Sequence, residues 1–330
     1  MGDTFLFAAN AVLPIVFLMA LGYFLKRINF LDKPFLLMGN KLVFRVLLPV
    51  MLFLNVYQIE DLGSIDFSFV LYSEVALLVI FLLAVLFTVP YKNKPGTRGV
   101  LIQAMFRSNF ALIGLSLASS LFGAEGSQAA SLLSAFFVPS LNVLAVITLT
   151  IFTDNEEMGK PDAKKILLGI VKNPLIIGVV CGLAAQLIRR LFASIGFNFR
   201  LSDITPLFST LKSLSACATP IALVVLGGRF EFSAVGKRIK PLVLGTVLRC
   251  IVVPVLALSF AFFVMKNTSG AHFAAYVAAF STPVAVSSAI MAGEMGGDDV
   301  LAGQLVVFTS VVSIFTMFAA IALLRLAGVF

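Results

Sequence analysis

The chain has 330 residues, of which 60% are hydrophobic and 12% are charged, and its mean hydropathy is +1.07. A water-soluble domain of this length needs more charge to cover its surface, so the composition excludes a soluble enzyme or binding module. The net charge of +8 does not indicate a nucleic-acid partner, because the basic residues lie mainly in the loops between apolar segments.

Apolar segments follow one another along the whole chain, and many are close to the roughly 20 residues that cross a bilayer. We predict ten membrane-spanning helices, at 4–25, 35–57, 67–90, 98–121, 127–152, 166–188, 204–228, 240–265, 272–293 and 300–324. The sequence therefore predicts an all-α polytopic membrane protein. The three cysteines fall within apolar segments and indicate neither disulfides nor a metal site, and we expect no cofactor.

Lysine and arginine gather in the odd-numbered loops, which the positive-inside rule places in the cytoplasm. These basic residues are Lys26, Arg27, Lys33, Lys92, Lys94, Arg98, Lys160, Lys164, Lys165, Arg229, Lys237, Arg238 and Lys240. The opposite side has chiefly Arg189, Arg190, Arg200 and Lys266. We therefore expect a protein of the cell membrane with both termini outside.

The two halves of the chain carry related patterns. The fourth segment contains "SNFALIGLSLASSLFGAE" and the ninth contains "STPVAVSSAIMAGEMGGD", and Ser108 precedes Gly123 by the interval that separates Ser281 from Gly296. A smaller match joins "LLPVMLF" in the second segment to "ATPIALV" in the seventh. Five helices per half is an odd number, so the second half enters the membrane inverted, which is typical of secondary transporters.

This repeat divides the chain into three parts. We predict a first five-helix repeat at 1–152, a cytoplasmic linker at 153–165, and a second, inverted five-helix repeat at 166–330. The linker, "TDNEEMGKPDAKK", is the longest strongly polar stretch.

The ninth segment is interrupted near its middle by Ser281, Thr282 and Pro283, and a proline inside a helix removes a hydrogen bond. We interpret Thr282 as the N-cap and Pro283 as the first residue of a new half-helix, with Ser108 and Asn109 as the capping residues in the fourth segment. Two half-helix N-termini would then meet near the midplane and present N–H groups to a carboxylate. A proline kink repaired by neighbouring helices is the alternative.

Other polar residues within the segments are candidates for the same site. Arg249 is expected to attract an anion or pair with a carboxylate, or else to snorkel. Arg107 stands beside the proposed break. Asn142 is expected to bond substrate or to join helices. Glu74 is expected to bind a proton, to pair with Arg249 or to lie at the membrane interface. The predicted substrate-binding set is Arg107, Ser108, Asn109, Asn142, Arg249, Ser281, Thr282, Pro283 and Ser287, with Glu74 as a candidate coupling residue.

Five stretches, in order, carry a family resemblance: "LVFRVLLPVMLF", "SNFALIGLSLASSLFG", "KNPLIIGVVCGL", "LRCIVVPVLAL" and "STPVAVSSAIMAG". Through them the chain resembles the auxin efflux carrier family, which includes plant PIN-type exporters and bacterial malate or malonate permeases. The resemblance spans essentially the whole length.

The resemblance implies crossed, broken fourth and ninth helices, a scaffold domain from segments 1, 2, 6 and 7, and a moving transport domain from the others. It also implies elevator-type transport of organic anions by a homodimer. Asn109 matches the family's crossover asparagine, Pro283 its crossover proline, and Asn142 a polar residue of the fifth helix that lines the site. Ser116 stands where plant members commonly have proline, and the long plant-type loop is absent. Both departures weaken an inference to auxin.

Our leading hypothesis is a homodimeric secondary carrier, surrounded by membrane lipid, for a small carboxylate such as malate, malonate or lactate. A sodium- or proton-coupled symporter or antiporter is the second hypothesis, and it predicts acids at the crossing point, where the sequence has none. A membrane-embedded enzyme is not expected, because the segments contain no paired aspartates, no serine–histidine arrangement and no zinc-type histidine cluster. A channel or receptor is harder to exclude, although the inverted break argues against it.

Overall fold

The computed structural model describes residues 2–58, 67–153, 163–196, 198–231, 235–265 and 268–330, and these residues form an all-helical structure without strands. Most of the predicted linker, together with Lys266, lies outside the described residues. The α-helices in chain order are α1 Gly2–Arg27, α2 Lys33–Leu42, α3 Leu48–Tyr57, α4 Phe67–Phe87, α5 Pro95–Phe106, α6 Leu115–Ile151, α7 Ala163–Val171, α8 Pro174–Ser194, α9 Thr205–Gly228, α10 Ile239–Val247, α11 Val253–Val264, α12 Gly270–Ser281, α13 Val286–Glu294 and α14 Asp299–Leu326.

Seven stretches of the described chain are helices long and apolar enough to cross a membrane. They are Lys33–Tyr57, Ser68–Phe87, Ser116–Ile151, Pro174–Ser194, Thr205–Gly228, Gly236–Val264 and Asp299–Leu326. Their exposed surfaces are rich in leucine, valine and phenylalanine, as expected for surfaces that face lipid. Two of these stretches combine two α-helices across a five-residue π-helical turn, Val43–Leu47 or Leu248–Val252. Each turn lies shortly before a proline, whose missing N–H and bulky ring favour a wider turn.

The boundary between the fourth and fifth segments lies close to its predicted place, because Phe122 and Gly123 have non-helical backbone conformations that divide α6 into two helices. Gly123 has a φ of +54°, a conformation that glycine adopts without a Cβ penalty. The sixth segment begins later than predicted, because Asn173 caps α8 by accepting a hydrogen bond of 2.9 Å from Leu175 N. The preceding residues form the separate short helix α7.

The helices pack into two groups. Group A consists of α1, α2, α3, α8 and α9, and group B consists of α4, α5, α6 and α10 to α14. In group A, α1 packs on α9 and α8 packs on α3, in both cases at glycines. A Cβ atom on Gly22 would lie 2.0 Å from Val224 O, and one on Gly178 would lie 2.5 Å from Pro49 O. Glycine therefore permits the close backbone approach that holds group A together.

Group B is built around α12, whose side chains are almost all buried. It packs against α6, α11 and α14, while α4 packs on α5 and α13 on α14. The two groups meet along several helix pairs, including α1 with α14 and α13 with α9. The candidate site lies on this boundary.

Candidate functional site

Both predicted interruptions are present. The α5 helix ends at Phe106, and helical structure resumes at Phe110 in a π-helical turn that leads into α6. The α12 helix ends at Ser281, and α13 begins at Val286. The residues between each pair of helices are extended and do not continue either helix.

The two interruptions pair with each other through their backbones. Asn109 N donates a hydrogen bond of 2.8 Å to Pro283 O, and Ala285 N donates one of 3.2 Å to Arg107 O. The residues between these partners form an isolated antiparallel bridge. Non-helical backbone at membrane depth needs partners supplied by the protein itself, and each break supplies them to the other.

The predicted capping is wrong at Thr282, Pro283 and Ser108, whereas Asn109 directly precedes the turn at Phe110 and its carbonyl accepts 3.1 Å from Ile113 N. Thr282 is not the N-cap of the second half-helix: its hydroxyl donates 2.8 Å to Ala278 O and so closes α12. Pro283 lies in the extended stretch, three residues before α13 begins at Val286. The physical reason is the backbone pairing, which requires several extended residues and so delays the helix. Ser108 Oγ likewise caps nothing, because it has no hydrogen-bond partner among the described residues.

A small cavity of about 50 Å³ lies beside the paired interruptions. Group A supplies walls from α3, α8 and α9, and group B supplies α6 and both interruptions. Most of the lining is apolar, with side chains such as Leu48, Leu52 and Val138. Its polar residues are Arg107, Ser108, Asn109, Asn142, Thr219 and Ser287. A water molecule needs about 10–15 Å³ on a comparable measure, so the space suits a few waters or a small ligand.

Arg107 is the charged residue of the lining, and only 3% of it is exposed. Its Nη2 atom donates 2.6 Å to Asn142 Oδ1, and its Nη1 atom contacts the Met291 sulfur. Asn142 is itself fixed by a bond of 2.7 Å from its Nδ2 atom to Val138 O. No carboxylate among the described residues lies within ion-pair distance of Arg107. A buried cation without a counter-charge is costly, so the position favours an anion in the cavity.

Two further polar groups beside Arg107 have unused bonding capacity. Ser108 Oγ and Asn109 Nδ2 are buried and have no hydrogen-bond partner among the described residues. Leaving such a group unpaired costs about 1–3 kcal/mol. Arg107, Ser108 and Asn109 all line the same small cavity.

Arg249 does not lie where the sequence analysis placed it. The residue is completely buried and is not part of the cavity lining. Its guanidinium donates 2.9 Å to Thr282 O, 3.1 Å to Met105 O and 3.3 Å to Ala279 O. These carbonyls belong to the last turns of α5 and α12 and to the residue after α12, where the helix leaves carbonyls unpaired and partly negative. Arg249 therefore joins the two half-helices on their C-terminal side.

The remaining predicted residues are divided between the cavity and its surroundings. Arg107, Ser108, Asn109, Asn142 and Ser287 line the cavity. The lining does not include Ser281, Thr282, Pro283 or Glu74.

Glu74 lies in α4, and its side chain is near Ser140 of α6. The predicted pair with Arg249 is not formed, because all three Arg249 nitrogens bond backbone carbonyls. Within the described ranges, no group of three or more histidine, cysteine, aspartate or glutamate residues is placed to hold a metal ion.

Sequence reasoning missed Thr219, which brings a hydroxyl group from α9 to the cavity. A signal for Thr219 is present in "ATPIALV", the stretch that matches "LLPVMLF" of the second segment, because it contains the same threonine–proline pair as "STPVAVS" of the ninth segment.

Comparison with known families finds a match over nearly the whole chain. A family model described as a membrane transport protein matches residues 7–321, a range that includes both interruptions and the whole cavity lining. No curated protein sequence matches the chain significantly. The apolar helices and this match identify a multi-pass membrane protein with a transport function. The chain therefore belongs to the membrane transport protein family of auxin efflux carriers and PIN-like transporters.

Proposed function

We propose that the chain is a secondary transporter of small organic anions such as malate, malonate or a related carboxylate. The observation that carries the proposal is the position of Arg107. It is a buried cation with no carboxylate partner among the described residues, and it lines a small cavity beside two interrupted helices.

The starts of two helical segments add to this positive potential. Helical structure resumes at Phe110 and at Val286, and the lining includes residues at both places, among them Ala111 and Ser287. The first N–H groups of a helix have no partner within it and carry a partial positive charge, which is a recurrent way to bind anions. A carboxylate in the cavity would thus meet Arg107, unpaired side-chain donors and backbone N–H groups at once.

The proposal includes ten spans arranged as two inverted five-helix repeats. It is supported by matched packing: the first predicted segment packs on the seventh and the sixth on the second, and both contacts use glycine. In an inverted repeat each segment of the first half corresponds to the segment five places later, so the pair of segments 1 and 7 corresponds to the pair of segments 6 and 2. In the same way, the contact of α4 with α5 corresponds to the contact of α11 with α12.

We propose elevator-type alternating access, in which group B moves relative to group A. Group B supplies Arg107, Asn109 and Asn142, whereas group A supplies a largely apolar wall. Sliding of group B along that wall would carry the anion-binding side chains and their cargo together. We further propose a homodimer in the cell membrane with both termini outside, on the basis of the family resemblance and the positive-inside rule.

Uptake of radiolabelled malate and malonate into proteoliposomes tests this function. We expect Asn109→Ala and Ser287→Ala to lower uptake at subsaturating substrate by roughly 3- to 30-fold, because each removes one hydrogen bond to a charged ligand. Ser288→Ala is the matched control, since Ser288 is buried beside Ser287 but does not line the cavity. Equal uptake by the wild type and Asn109→Ala would remove the assignment of the site.

A sodium- or proton-coupled symporter or antiporter of related architecture is the alternative. The buried position of Glu74 Oε1, which has no hydrogen-bond partner among the described residues, favours a proton as the coupling ion. The same proteoliposomes discriminate the alternatives: uptake driven by a sodium or pH gradient supports coupling, and uptake indifferent to both supports a uniporter.

A further inference from the structure

A polar cluster connects the two helix groups at one end of the structure. Asn40 of α2 is buried, and its Nδ2 atom donates 2.8 Å to Glu294 Oε1 at the end of α13. Its Oδ1 atom accepts a hydrogen bond of 3.2 Å from Arg229, which follows α9. Arg229 also forms an ion pair with Asp299 in the first turn of α14.

Two links of this cluster cross the boundary between group A and group B: Asn40 to Glu294, and Arg229 to Asp299. The bond between Asn40 and Arg229 lies within group A. Asn40 and Arg229 come from group A, while Glu294 and Asp299 come from group B. Gly293 leaves room for the crossing guanidinium, since a Cβ atom there would lie 3.0 Å from Arg229 Nη1. The cluster lies on the predicted cytoplasmic side, with the basic residues of the odd-numbered loops.

The neighbouring acid makes contacts of a different kind. Asp298 accepts hydrogen bonds of 3.1 Å from Arg238 and 3.1 Å from Thr97. Arg238 leads into α10 and Thr97 lies in α5, so both belong with group B. The two adjacent aspartates therefore make different contacts: Asp298 bonds residues within group B, and Asp299 pairs with Arg229 of group A.

We propose that Asn40, Arg229, Glu294 and Asp299 form a latch that holds the two groups in this arrangement and separates whenever group B moves. The inference rests on the proposed elevator movement. The latch is weak enough to break in each transport cycle, because the Arg229 and Asp299 side chains are 23% and 37% exposed. Ion pairs at partly exposed positions are weak, since water and salt screen them.

The latch is tested by the accessibility of the space that it closes. Ala289 is buried and lines a small cavity together with Asn40, Arg229 and Asp299. In a protein whose native cysteines are replaced by alanine, Ala289→Cys is labelled with a water-soluble maleimide after purification. We expect Arg229→Gln and Asp299→Asn each to accelerate labelling by about two- to fivefold, the range that a partly exposed ion pair supports.

The double variant and the neighbouring pair supply the controls. Arg229→Gln combined with Asp299→Asn should be labelled no faster than Arg229→Gln alone, because Asp299→Asn removes only the ion pair that Arg229→Gln has already removed. Arg238→Gln and Asp298→Asn should leave the labelling rate within about twofold of the parent, since that pair lies within group B. Equal acceleration by the two pairs, or unchanged labelling in Arg229→Gln and Asp299→Asn, would overturn the latch.

Labelling requires no substrate, so its outcome is independent of the transport assay. A protein that moves no carboxylate but shows the predicted labelling pattern would defeat the proposed substrate and retain the latch. A protein that moves malonate but shows equal labelling in all variants would retain the function and defeat the latch.

Discussion

Two buried arginines lie beside the paired interruptions, and they differ in their hydrogen-bond partners. Arg249 bonds three backbone carbonyls, whereas Arg107 bonds one side-chain amide oxygen and one sulfur and faces a cavity. We propose that Arg249, whose three nitrogens all bond backbone carbonyls, positions the two half-helices, and that Arg107, which lines the cavity without a carboxylate partner among the described residues, binds the ligand. At the residue scale, the distinction between binding and positioning therefore depends on hydrogen-bond partners.

Replacement of Arg249 tests its positioning role. Arg249→Met should lower the melting temperature of the purified protein, because three buried carbonyls lose a partner at a cost of about 1–3 kcal/mol each. Arg249→Lys should lose less, since an ammonium group keeps the charge and can bond some of the same carbonyls. The affinity of Arg249→Lys for malonate should stay within about threefold of the wild type. A stable lysine variant with a much weaker affinity would instead make Arg249 a ligand-binding residue.

The sequence predicts both arginines as ligand-binding residues, Arg107 because it stands beside the break and Arg249 because it lies within the eighth segment, and the structure places them differently. Both are arginines within apolar segments, and no polar face on those helices indicates which way either side chain points. The direction of Arg249 is determined by carbonyls on two other helices, one of which lies more than a hundred residues earlier in the chain. A local pattern does not contain that information.

At the scale of the element, the places of the two interruptions can be predicted from the sequence, but the number of extended residues in each cannot. Pro283 marks the break because its effect on a helix is local. The four extended residues from Thr282 to Ala285 follow from pairing with the distant stretch at Arg107 to Asn109, which no local rule anticipates. The break at Phe122 and Gly123, in contrast, lies next to the predicted end of the fourth segment at 121, since a glycine commonly ends a helix.

The glycine contacts within group A provide a test at the same scale. Gly22→Ala should destabilise the protein by about 1–3 kcal/mol or more, because its Cβ atom would overlap the α9 backbone. Gly236→Ala is the control, since a Cβ atom at that position meets no atom within 4 Å. Thermal unfolding in the same detergent compares the two. If Gly22→Ala melted at the temperature of the control, the close α1–α9 packing would be contradicted.

At the scale of the whole molecule, composition alone established an all-helical membrane protein, and the breaks indicated a transporter. The division into two packing groups required the structure, because it depends on contacts between helices from both halves of the chain. The cavity lies on the boundary of these groups, with its charged residue on group B and much of its apolar wall on group A. Under the proposed function, relative movement of the two groups would move a bound anion.

Direct binding of malonate to the purified protein is the measurement that tests the central claim most closely, with the wild type compared with Arg107→Gln. We expect the variant to bind about 10- to 100-fold more weakly, because it loses a charge-assisted bond in a buried cavity. Its unliganded melting temperature should equal or exceed that of the wild type, since an uncompensated buried charge has been removed. Equal malonate affinities in two well-folded proteins would contradict an anion site at Arg107.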